Sequence, residues 1–337
     1  MPEAGRLPNV AILATGGTIA GAQAPAQGVG YVAGTFGIGQ LLAAVPRLAD
    51  IAQLHPEQIA NVGSQDMRHD VWHALAQRIR TLTQDAGIDG IVVTHGTDTL
   101  EETAYFLDLL IPPGKPLVLT GAMRPATALG ADGPANLHAA VALAGHEQAQ
   151  GRGALVLMNE TIHEARGVQK ISAAGLAAFA SPDRGTAGVM QGGQPWFHRS
   201  VPPTTVLADA PWRSAPLADP ALWPRVGIVY AHADMRGDVI DFMADRCQGL
   251  VLAGVGDGNA TADAMHALGS AAARGVAVVR ASRTGSGHVG RNVEVDDDGL
   301  GFIAAGNLNP QKARVLLTLA LMSTSDHATL SRWFEAA

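Results

Sequence analysis

The sequence has one cysteine, Cys247, in 337 residues, so no disulfide can form within the chain. Twelve histidines are present without an HExxH pair, and His69 and His73, one helical turn apart, have no evident third ligand. Residues 254–259, GVGDGN, resemble a dinucleotide-binding fingerprint only loosely and lack the acidic residue expected about 20 positions later. These residues therefore predict neither a metal site nor a nicotinamide cofactor.

Long apolar runs are also missing, and none approaches the roughly 20 residues that a membrane-spanning helix needs. Residues 1–6 lack the apolar segment of a secretory signal. With a net charge of −7 and scattered lysines and arginines, the chain has no basic face for a phosphate backbone. We expect no membrane and no nucleic-acid partner. We also expect a cytoplasmic location for the sequence as written, or a periplasmic one if a signal has been removed.

Charged residues are scarce, at 16% against a usual value of about 25%, while 47% of residues are apolar. This composition predicts that much of the surface is buried between domains or subunits, so we expect an oligomer. The length favours two domains, because one hydrophobic core rarely exceeds about 250–300 residues. We predict an N-terminal domain over 1–200, a proline-rich linker over 201–224 and a smaller domain over 225–337.

β-Branched apolar runs alternate with helical stretches along the first half of the chain. The runs near 10–14, 90–94, 116–120 and 153–158 predict strands, and the stretches near 38–44, 70–84, 99–110 and 133–145 predict helices. Beyond the prolines, strands are predicted near 226–230, 249–253 and 276–280, with two helices after 310. The fold class predicted is α/β, with a larger N-terminal, doubly wound, mostly parallel sheet domain and a smaller C-terminal α/β domain.

Two threonine-glycine turns directly follow predicted strands. Residues 15–18, TGGT, follow the run at 10–14, and residues 94–98, THGTD, follow the run at 91–93. Both turns should lie at strand carboxyl ends, which is where ligands bind in an open α/β sheet. The hydroxyls of Thr18 and Thr97 therefore suggest nucleophilic catalysis. The first turn could equally be a plain strand-to-helix connection or a phosphate cradle.

The second turn also has a purely structural explanation. Asp98 or Thr99 could be a helix N-cap, with Glu102 completing a capping box. A hydroxyl beside a carboxylate at a helix N-terminus also brings together a nucleophile, a proton acceptor and N–H donors for an oxyanion. Both interpretations stay open at this point.

Three further segments have two interpretations each. Residues 64–66, SQD, follow another strand end and suit a small zwitterionic ligand, or form an ordinary polar turn. Lys170 lies between apolar neighbours and is a candidate proton acceptor or charge partner, or a surface residue. The glycine- and alanine-rich segment 19–30 is a lid that excludes water, or a flexible loop.

Five motifs occur together in the order ILATGGTIAG at 12–21, GSQDM at 63–67, THGTDT at 94–99, GAMRP at 121–125 and ADGPANL at 131–137. In combination they are highly specific, and they closely resemble the bacterial type II L-asparaginase family. The resemblance runs from about residue 8 to residue 335.

The resemblance implies a hydrolase that converts L-asparagine and water to L-aspartate and ammonia, with no metal or cofactor. It implies Thr18 as the primary nucleophile beneath a lid closed by Tyr31, and a second group made of Thr97, Asp98 and Lys170. The residues implied to bind the substrate or the oxyanion are Gly17, Ser64, Gln65, Gly96, Thr97, Asp98, Ala122, Asn259 and Glu294. The last two would come from a neighbouring subunit, because members of the family are usually homotetramers of close dimers with shared active sites.

Two positions depart from the family pattern. Asp257 stands where asparagine is common, and it adds a negative charge beside Asn259 that could alter the choice between asparagine and glutamine. Ile171 follows Lys170 where threonine is common, which leaves the hydrogen bonding of the lysine open. Two alternatives to an asparaginase stay open: a glutaminase-asparaginase with comparable activity on L-glutamine, and a non-catalytic amino-acid binding protein.

Overall fold

The computed structural model describes residues 6–23, 31–32, 34, 37–200 and 206–337, and of residues 23, 31, 32, 206 and 208 it describes the backbone. The chain divides into two compact units, Met1–Pro202 and Pro203–Ala337. Each unit has a sheet and a hydrophobic core of its own.

The larger unit alternates strands and helices along the chain. Its strands are β1 (Asn9–Gly16), β2 (Ala22–Gln23), β3 (Tyr31–Val32), β4 (Gln53–Val62), β5 (Gly90–Thr94), β6 (Leu117–Thr120), β7 (Ala154–Met158), β8 (Thr161–Glu164), β9 (Gln169–Lys170), β10 (Phe179–Ala180), β11 (Gly188–Gln191) and β12 (Gln194–Phe197). Its helices are α1 (Ile38–Ala43), α2 (His69–Gln84), α3 (Leu100–Leu110) and α4 (Gly133–Ala144).

The main sheet of this unit has the strand order β12-β11-β8-β7-β6-β5-β1-β4. The pairings from β4 to β7 are parallel, and those from β7 through β8 and β11 to β12 are antiparallel. The predicted strands and helices are all present, which confirms the α/β class and the mostly parallel sheet. Crossing helices bring β1, β5, β6 and β7 side by side with their carboxyl ends at one edge.

In the main sheet, most of β4 and all of β8, β11 and β12 were not predicted from the sequence. Strand β4 lies at the edge of the sheet, where it pairs only with β1, and most of its residues are half-buried or exposed. It also contains Pro56, which has no N–H to donate. An edge strand tolerates proline because one edge of the strand forms no hydrogen bonds to a neighbouring strand. A mixed, half-exposed strand has no continuous apolar run, so its sequence does not predict a strand.

The core of the larger unit explains why its central strands do have such runs. Val10 and Ile12 of β1 lie in one buried cluster with Val92, Val118 and Leu155 from the neighbouring strands, together with the inner face of α4. Their alternate neighbours along the strands are equally buried, and α3 contacts β6 and β7. Because both faces of these strands are covered, their sequences are apolar throughout.

The smaller unit contains a parallel sheet of order β13-β14-β15-β16. Its strands are β13 (Val226–Tyr230), β14 (Gly249–Gly254), β15 (Ala277–Ser282) and β16 (Phe302–Ala304), and its helices are α5 (Pro211–Ser214), α6 (Asp238–Ala244), α7 (Ala262–Ala273), α8 (Asp297–Leu300), α9 (Pro310–Leu321) and α10 (His327–Ala336). The three predicted strands and the two C-terminal helices are present. Strand β16 was missed because it has only three residues.

The proline-rich segment contains short helices in its described part, residues 206–224. Trp212 of α5 packs edge-on against Trp333 of α10, with 4.7 Å between ring centroids. The segment therefore groups with the smaller unit. The limits predicted for the two domains and the linker stay predictions. Among the helices that the structure describes, none is long and apolar enough to cross a membrane.

Candidate active site

The two threonine turns meet at the carboxyl ends of the adjacent strands β1 and β5. Thr15 Oγ1 donates a hydrogen bond of 3.0 Å to Thr94 O, which ties the two strand ends together. Gly17 has a φ of +81°, and a Cβ at this position would clash with the backbone of Gly96. Only glycine allows this approach. The fold therefore places the turns of Thr18 and Thr97 in direct contact.

Ser64 lies in the turn that follows β4, on the other side of β1. Its hydroxyl accepts a hydrogen bond of 3.1 Å from the N–H of Asp98, and its carbonyl accepts one of 2.8 Å from Thr99 Oγ1. A Cβ on Gly96 would lie 2.6 Å from Ser64 Oγ, so these turns are also in close contact. The predicted polar turn thus lies against the second threonine turn, with Gln65 exposed beside it.

This arrangement corrects the capping-box explanation of the second turn. Thr99 is the N-cap residue of α3, but its side chain forms no capping hydrogen bond. The hydroxyl of Thr99 bonds to Ser64 instead. A contact between distant turns has therefore replaced the local contact that the sequence suggested.

Thr18 begins a short 3₁₀ helix, Thr18–Ala20, and is 5% exposed. The chain then enters β2 and returns in β3, where Tyr31 pairs with Gln23. Gly34 N–H closes this excursion with a hydrogen bond of 3.2 Å to Gly17 O, directly before Thr18. The chain on both sides of the segment predicted as a lid, 19–30, is therefore joined next to Thr18. Residues 24–30 and the side chain of Tyr31 lie outside the described part of the chain, and the lid stays a prediction.

Lys170 joins the predicted second group. Its Nζ donates to Thr97 Oγ1 at 2.9 Å and to Asp98 Oδ1 at 2.5 Å. The lysine side chain is 16% exposed and that of Asp98 is 55% exposed, so the ammonium is enclosed while the carboxylate reaches the open side. The alternative of a plain surface lysine does not fit this position. Ile171, the departure next to it, has an exposed side chain, and Lys170 forms both bonds with isoleucine at this position.

Glu101 is a residue that sequence analysis did not assign to the site. It lies in the first turn of α3, is 3% exposed, and its Oε2 accepts a hydrogen bond of 2.6 Å from the backbone N–H of Lys170. The bond anchors β9 at the residue whose ammonium contacts Thr97. The sequence signal was ambiguous, because an acid in the first turn of a helix is common for reasons of helix electrostatics alone.

His95 is completely buried behind the second threonine turn. Its Nδ1 lies 2.7 Å from Gly96 O, and its Nε2 lies 2.9 Å from Thr103 Oγ1. The carbonyl of Gly96 can only accept a hydrogen bond, so Nδ1 of His95 carries the proton. Nε2 therefore accepts a hydrogen bond from the hydroxyl of Thr103. That hydroxyl in turn accepts one from Trp72 Nε1 at 2.8 Å. Burial lowers the pKa of His95 from 6.5 to about 4, so the imidazole is neutral at neutral pH. This chain of bonds holds the carbonyl of Gly96.

Ala122 lies buried beyond the end of β6, in the turn next to the second threonine turn. Asp132 holds this turn by accepting hydrogen bonds of 2.9 Å from the N–H groups of Met123 and Arg124. Four neighbouring strand ends, those of β4, β1, β5 and β6, therefore carry the predicted residues of the larger unit apart from Lys170 and Tyr31. Lys170 reaches them from β9.

Asn259 and Glu294 belong to the smaller unit and contact each other. They follow β14 and β15, and Asn259 Nδ2 donates a hydrogen bond to Glu294 Oε2. Asp257, the first departure, directs one carboxylate oxygen to the N–H of Gly290 at 3.0 Å. Its other oxygen, Oδ2, is buried and has no hydrogen-bond partner among the described residues. Among those residues, no cluster of three or more histidine, cysteine or acidic side chains could hold a metal ion.

Residues 9–203 match the family described as "Asparaginase, N-terminal", and residues 225–334 match the "Glutaminase/Asparaginase C-terminal domain". The chain is 45% identical over 330 residues to "L-asparaginase 2" of Escherichia coli, which covers 98% of this chain and 93% of that protein. It is 39% identical over 332 residues to the "Glutaminase-asparaginase" of Pseudomonas fluorescens, over 98% of this chain and 90% of that protein.

A similar solved structure is the "Probable Cytoplasmic L-asparaginase" of Campylobacter jejuni. It has a TM-score of 0.89 and 41% sequence identity, and the match covers 98% of this chain and 100% of that chain. The likeness therefore extends over both units.

The buried His95 predicts a loss of stability in acid. The unfolded chain takes up a proton on this imidazole near pH 6.5, whereas the folded chain does so only near pH 4. The free energy of unfolding should therefore fall as the pH drops from 6.5 to 4, by up to about 3 kcal/mol from this group. Urea unfolding at fixed protein concentration would measure this loss. The control is His95→Asn, which keeps an N–H near Gly96 O but cannot titrate. A difference between the two proteins that stays constant over this pH range would contradict the prediction.

Proposed function

Because this chain belongs to the asparaginase family, we propose that it hydrolyses the side-chain amide of L-asparagine to L-aspartate and ammonia through a threonine nucleophile. The observation that carries this proposal is the contact of Lys170 Nζ with Thr97 Oγ1 and Asp98 Oδ1, in a turn that touches the turn of Thr18. Two hydroxyls, an ammonium and a carboxylate lie at one sheet edge, and this set suits acyl transfer without a cofactor.

In the proposed reaction, Thr18 Oγ1 attacks the side-chain amide carbon of asparagine and the carbonyl oxygen becomes an oxyanion. The backbone N–H of Thr97, with Ala122 nearby, donates a hydrogen bond that stabilises this oxyanion. When the intermediate collapses, the C–N bond breaks and ammonia leaves with the proton from Thr18, so an aspartyl ester remains. Water then attacks the ester carbon, which releases L-aspartate and restores the hydroxyl of Thr18.

Lys170 supports this reaction in two ways. Its Nζ donates to Thr97 Oγ1, so the hydroxyl proton of Thr97 must point away from the lysine. Its positive charge also stabilises negative charge that develops on that oxygen. Asp98 pairs with the same ammonium and holds it in place, while the exposed remainder of its carboxylate is available to the α-ammonium group of the substrate.

The remaining substrate contacts follow from the same placement. Ser64 and Gln65 lie beside Asp98 and are proposed to bind the α-carboxylate and α-ammonium groups, with Gly17 and Gly96 providing backbone close to the ligand. Tyr31 is proposed to close over Thr18. A binding protein without turnover would have no need of the contact between Lys170 Nζ and Thr97 Oγ1, so this contact favours an enzyme.

A glutaminase-asparaginase is the second candidate. One of the similar proteins carries that name, and Asp257 lies close to Asn259 in the smaller unit. The relative rates on the two amides decide between the candidates. The cellular compartment also stays a prediction.

We also propose that the protein is a homotetramer of close dimers. In such a dimer, Asn259 and Glu294 of one subunit would complete the site around Thr18 of its partner. Exposed apolar side chains on the smaller unit, Tyr230 at 61%, Phe242 at 60% and Val239 at 52%, are consistent with a surface that another subunit covers.

The first test is ammonia release from L-asparagine and L-glutamine by the purified protein, compared with Thr18→Ala. We expect release that is much faster from asparagine, and a fall in kcat of at least about 10³-fold in the variant, because the nucleophile is lost. Thr18→Ser is the control, since it keeps a hydroxyl and should keep measurable turnover. Near-normal activity of a folded Thr18→Ala protein would remove Thr18 from this role, and no release by the wild type would contradict the proposed activity.

Glu101 should affect turnover through the position of Lys170. In Glu101→Ala the N–H of Lys170 loses its acceptor, and a displaced ammonium should lower kcat by up to about 10²-fold with little change in KM. Glu101→Gln keeps an acceptor oxygen and should recover most of this loss. The control is Glu102→Gln, which removes the neighbouring carboxylate of the same helix turn. Equal kcat values in Glu101→Ala and Glu102→Gln would contradict the role.

Shared active sites predict recovery of activity in mixed oligomers. Thr18→Ala and Glu294→Ala should each be nearly inactive alone. Coexpressed in equal amounts, they should recover about a quarter of the wild-type rate per subunit, because half of the dimers are mixed and each has one intact site. Mixed oligomers that stay inactive would show that each site uses Thr18 and Glu294 of the same chain.

A further inference from the structure

The smaller unit contains an ion pair with no exposed surface, between Arg280 of β15 and Asp297 at the start of α8. Both side chains are 0% exposed. Arg280 Nε donates to Asp297 Oδ1 at 2.6 Å and Nη2 donates to Oδ2 at 2.8 Å. The carboxylate and the guanidinium therefore form a bidentate pair in the core.

The other guanidinium donors reach two separate loops. Nη1 donates to the carbonyls of Asp257, at 2.6 Å, and Gly258, at 3.4 Å. Nη2 donates to the carbonyl of Gly290 at 3.1 Å. All five N–H groups of the arginine are thus used, and three of the acceptors are loop carbonyls.

These two loops carry the residues of the smaller unit that we place in the active site. The first loop leads from Gly258 directly to Asn259, and the second leads from Gly290 to Glu294. Asp257 Oδ1 links the loops again by accepting from Gly290 N–H, and Asp297 Oδ2 accepts from Asn292 N–H at 2.9 Å. The hydrogen bond between Asn259 and Glu294 also joins the two loops, and it is exposed.

Burying two charges has a large desolvation cost, and apolar side chains of similar volume often stabilise a fold as well. A guanidinium can, however, hold several carbonyls in a fixed plane, which no apolar side chain can do. The contacts of Arg280 with two loops therefore point to a role in loop geometry.

We propose that Arg280 and Asp297 are positioning residues for substrate binding, which hold the loops 255–259 and 289–296 at the spacing that lets Asn259 and Glu294 bind one substrate molecule together. This inference rests on the proposed function for its kinetic consequence. Since neither residue is exposed, both act only through the loops. Their loss should therefore weaken substrate binding more than it slows the chemical step.

The first experiment replaces both charges at once, in the double variant Arg280→Met/Asp297→Leu, so that no unpaired charge stays buried. For the folded double variant, we expect KM for L-asparagine to rise at least tenfold while kcat changes less than threefold. Arg291→Met is the matched control, because Arg291 lies in the same loop and forms exposed ion pairs with Asp298 and Glu335. Its KM should stay within twofold of the wild type. A wild-type KM in the folded double variant would overturn the proposal.

A second variant tests the proposal in case the double variant does not fold. A second measurement, amide hydrogen exchange, tests it without relying on the proposed activity. Arg280→Lys keeps the charge beside Asp297 but cannot reach the loop carbonyls with a planar fork. We expect faster amide hydrogen exchange in residues 255–259 and 289–296 of this variant, with the central strands β14 and β15 still protected. This readout needs no substrate, so it holds even if the wild type releases no ammonia. Unchanged exchange in both loops would overturn the proposal, as would failure of every replacement to fold, which would assign the pair to stability.

Discussion

The candidate site depends on the close approach of two backbone turns at the carboxyl ends of β1 and β5. Gly17 and Gly96 lie against each other, and a Cβ at Gly17 would clash with the backbone of the other turn. Parallel pairing of the strands brings their ends to one edge, and the missing side chains let the turns meet there. The positions of Thr18 and Thr97 relative to each other follow from this one contact.

Around that contact, the polar groups are held from behind by buried partners. Ser64 fixes the backbone of Asp98, His95 fixes the carbonyl of Gly96, and Glu101 fixes the backbone of Lys170. None of these bonds uses the hydroxyl of Thr18 or Thr97. The groups proposed to react are therefore placed by neighbours that do not react, which is how a site is preorganised before its ligand binds.

The smaller unit uses the same arrangement on a smaller scale. Its parallel strands β14 and β15 end in the loops that carry Asn259 and Glu294, and the buried Arg280 bonds to both loops. In both units, strand ends bring distant chain segments together and a buried polar side chain sets their spacing. The two units differ in the free-energy cost of this arrangement, because the ion pair of Arg280 and Asp297 must offset the desolvation of two charges.

The sequence alone determined the α/β class, the central strands and the strand ends on which Thr18, Ser64 and Thr97 lie. Strands covered on both faces need continuous apolar runs, and these can be recognised locally. Tertiary structure decided what local patterns leave open. The edge strand β4 has no such run, Thr99 bonds to Ser64 rather than capping its own helix, and Glu101 meets Lys170 across 69 positions of the chain. Hydrogen bonds between segments distant in sequence depend on how the elements pack, so the partners of Glu101 and Arg280 could only be found in the folded chain.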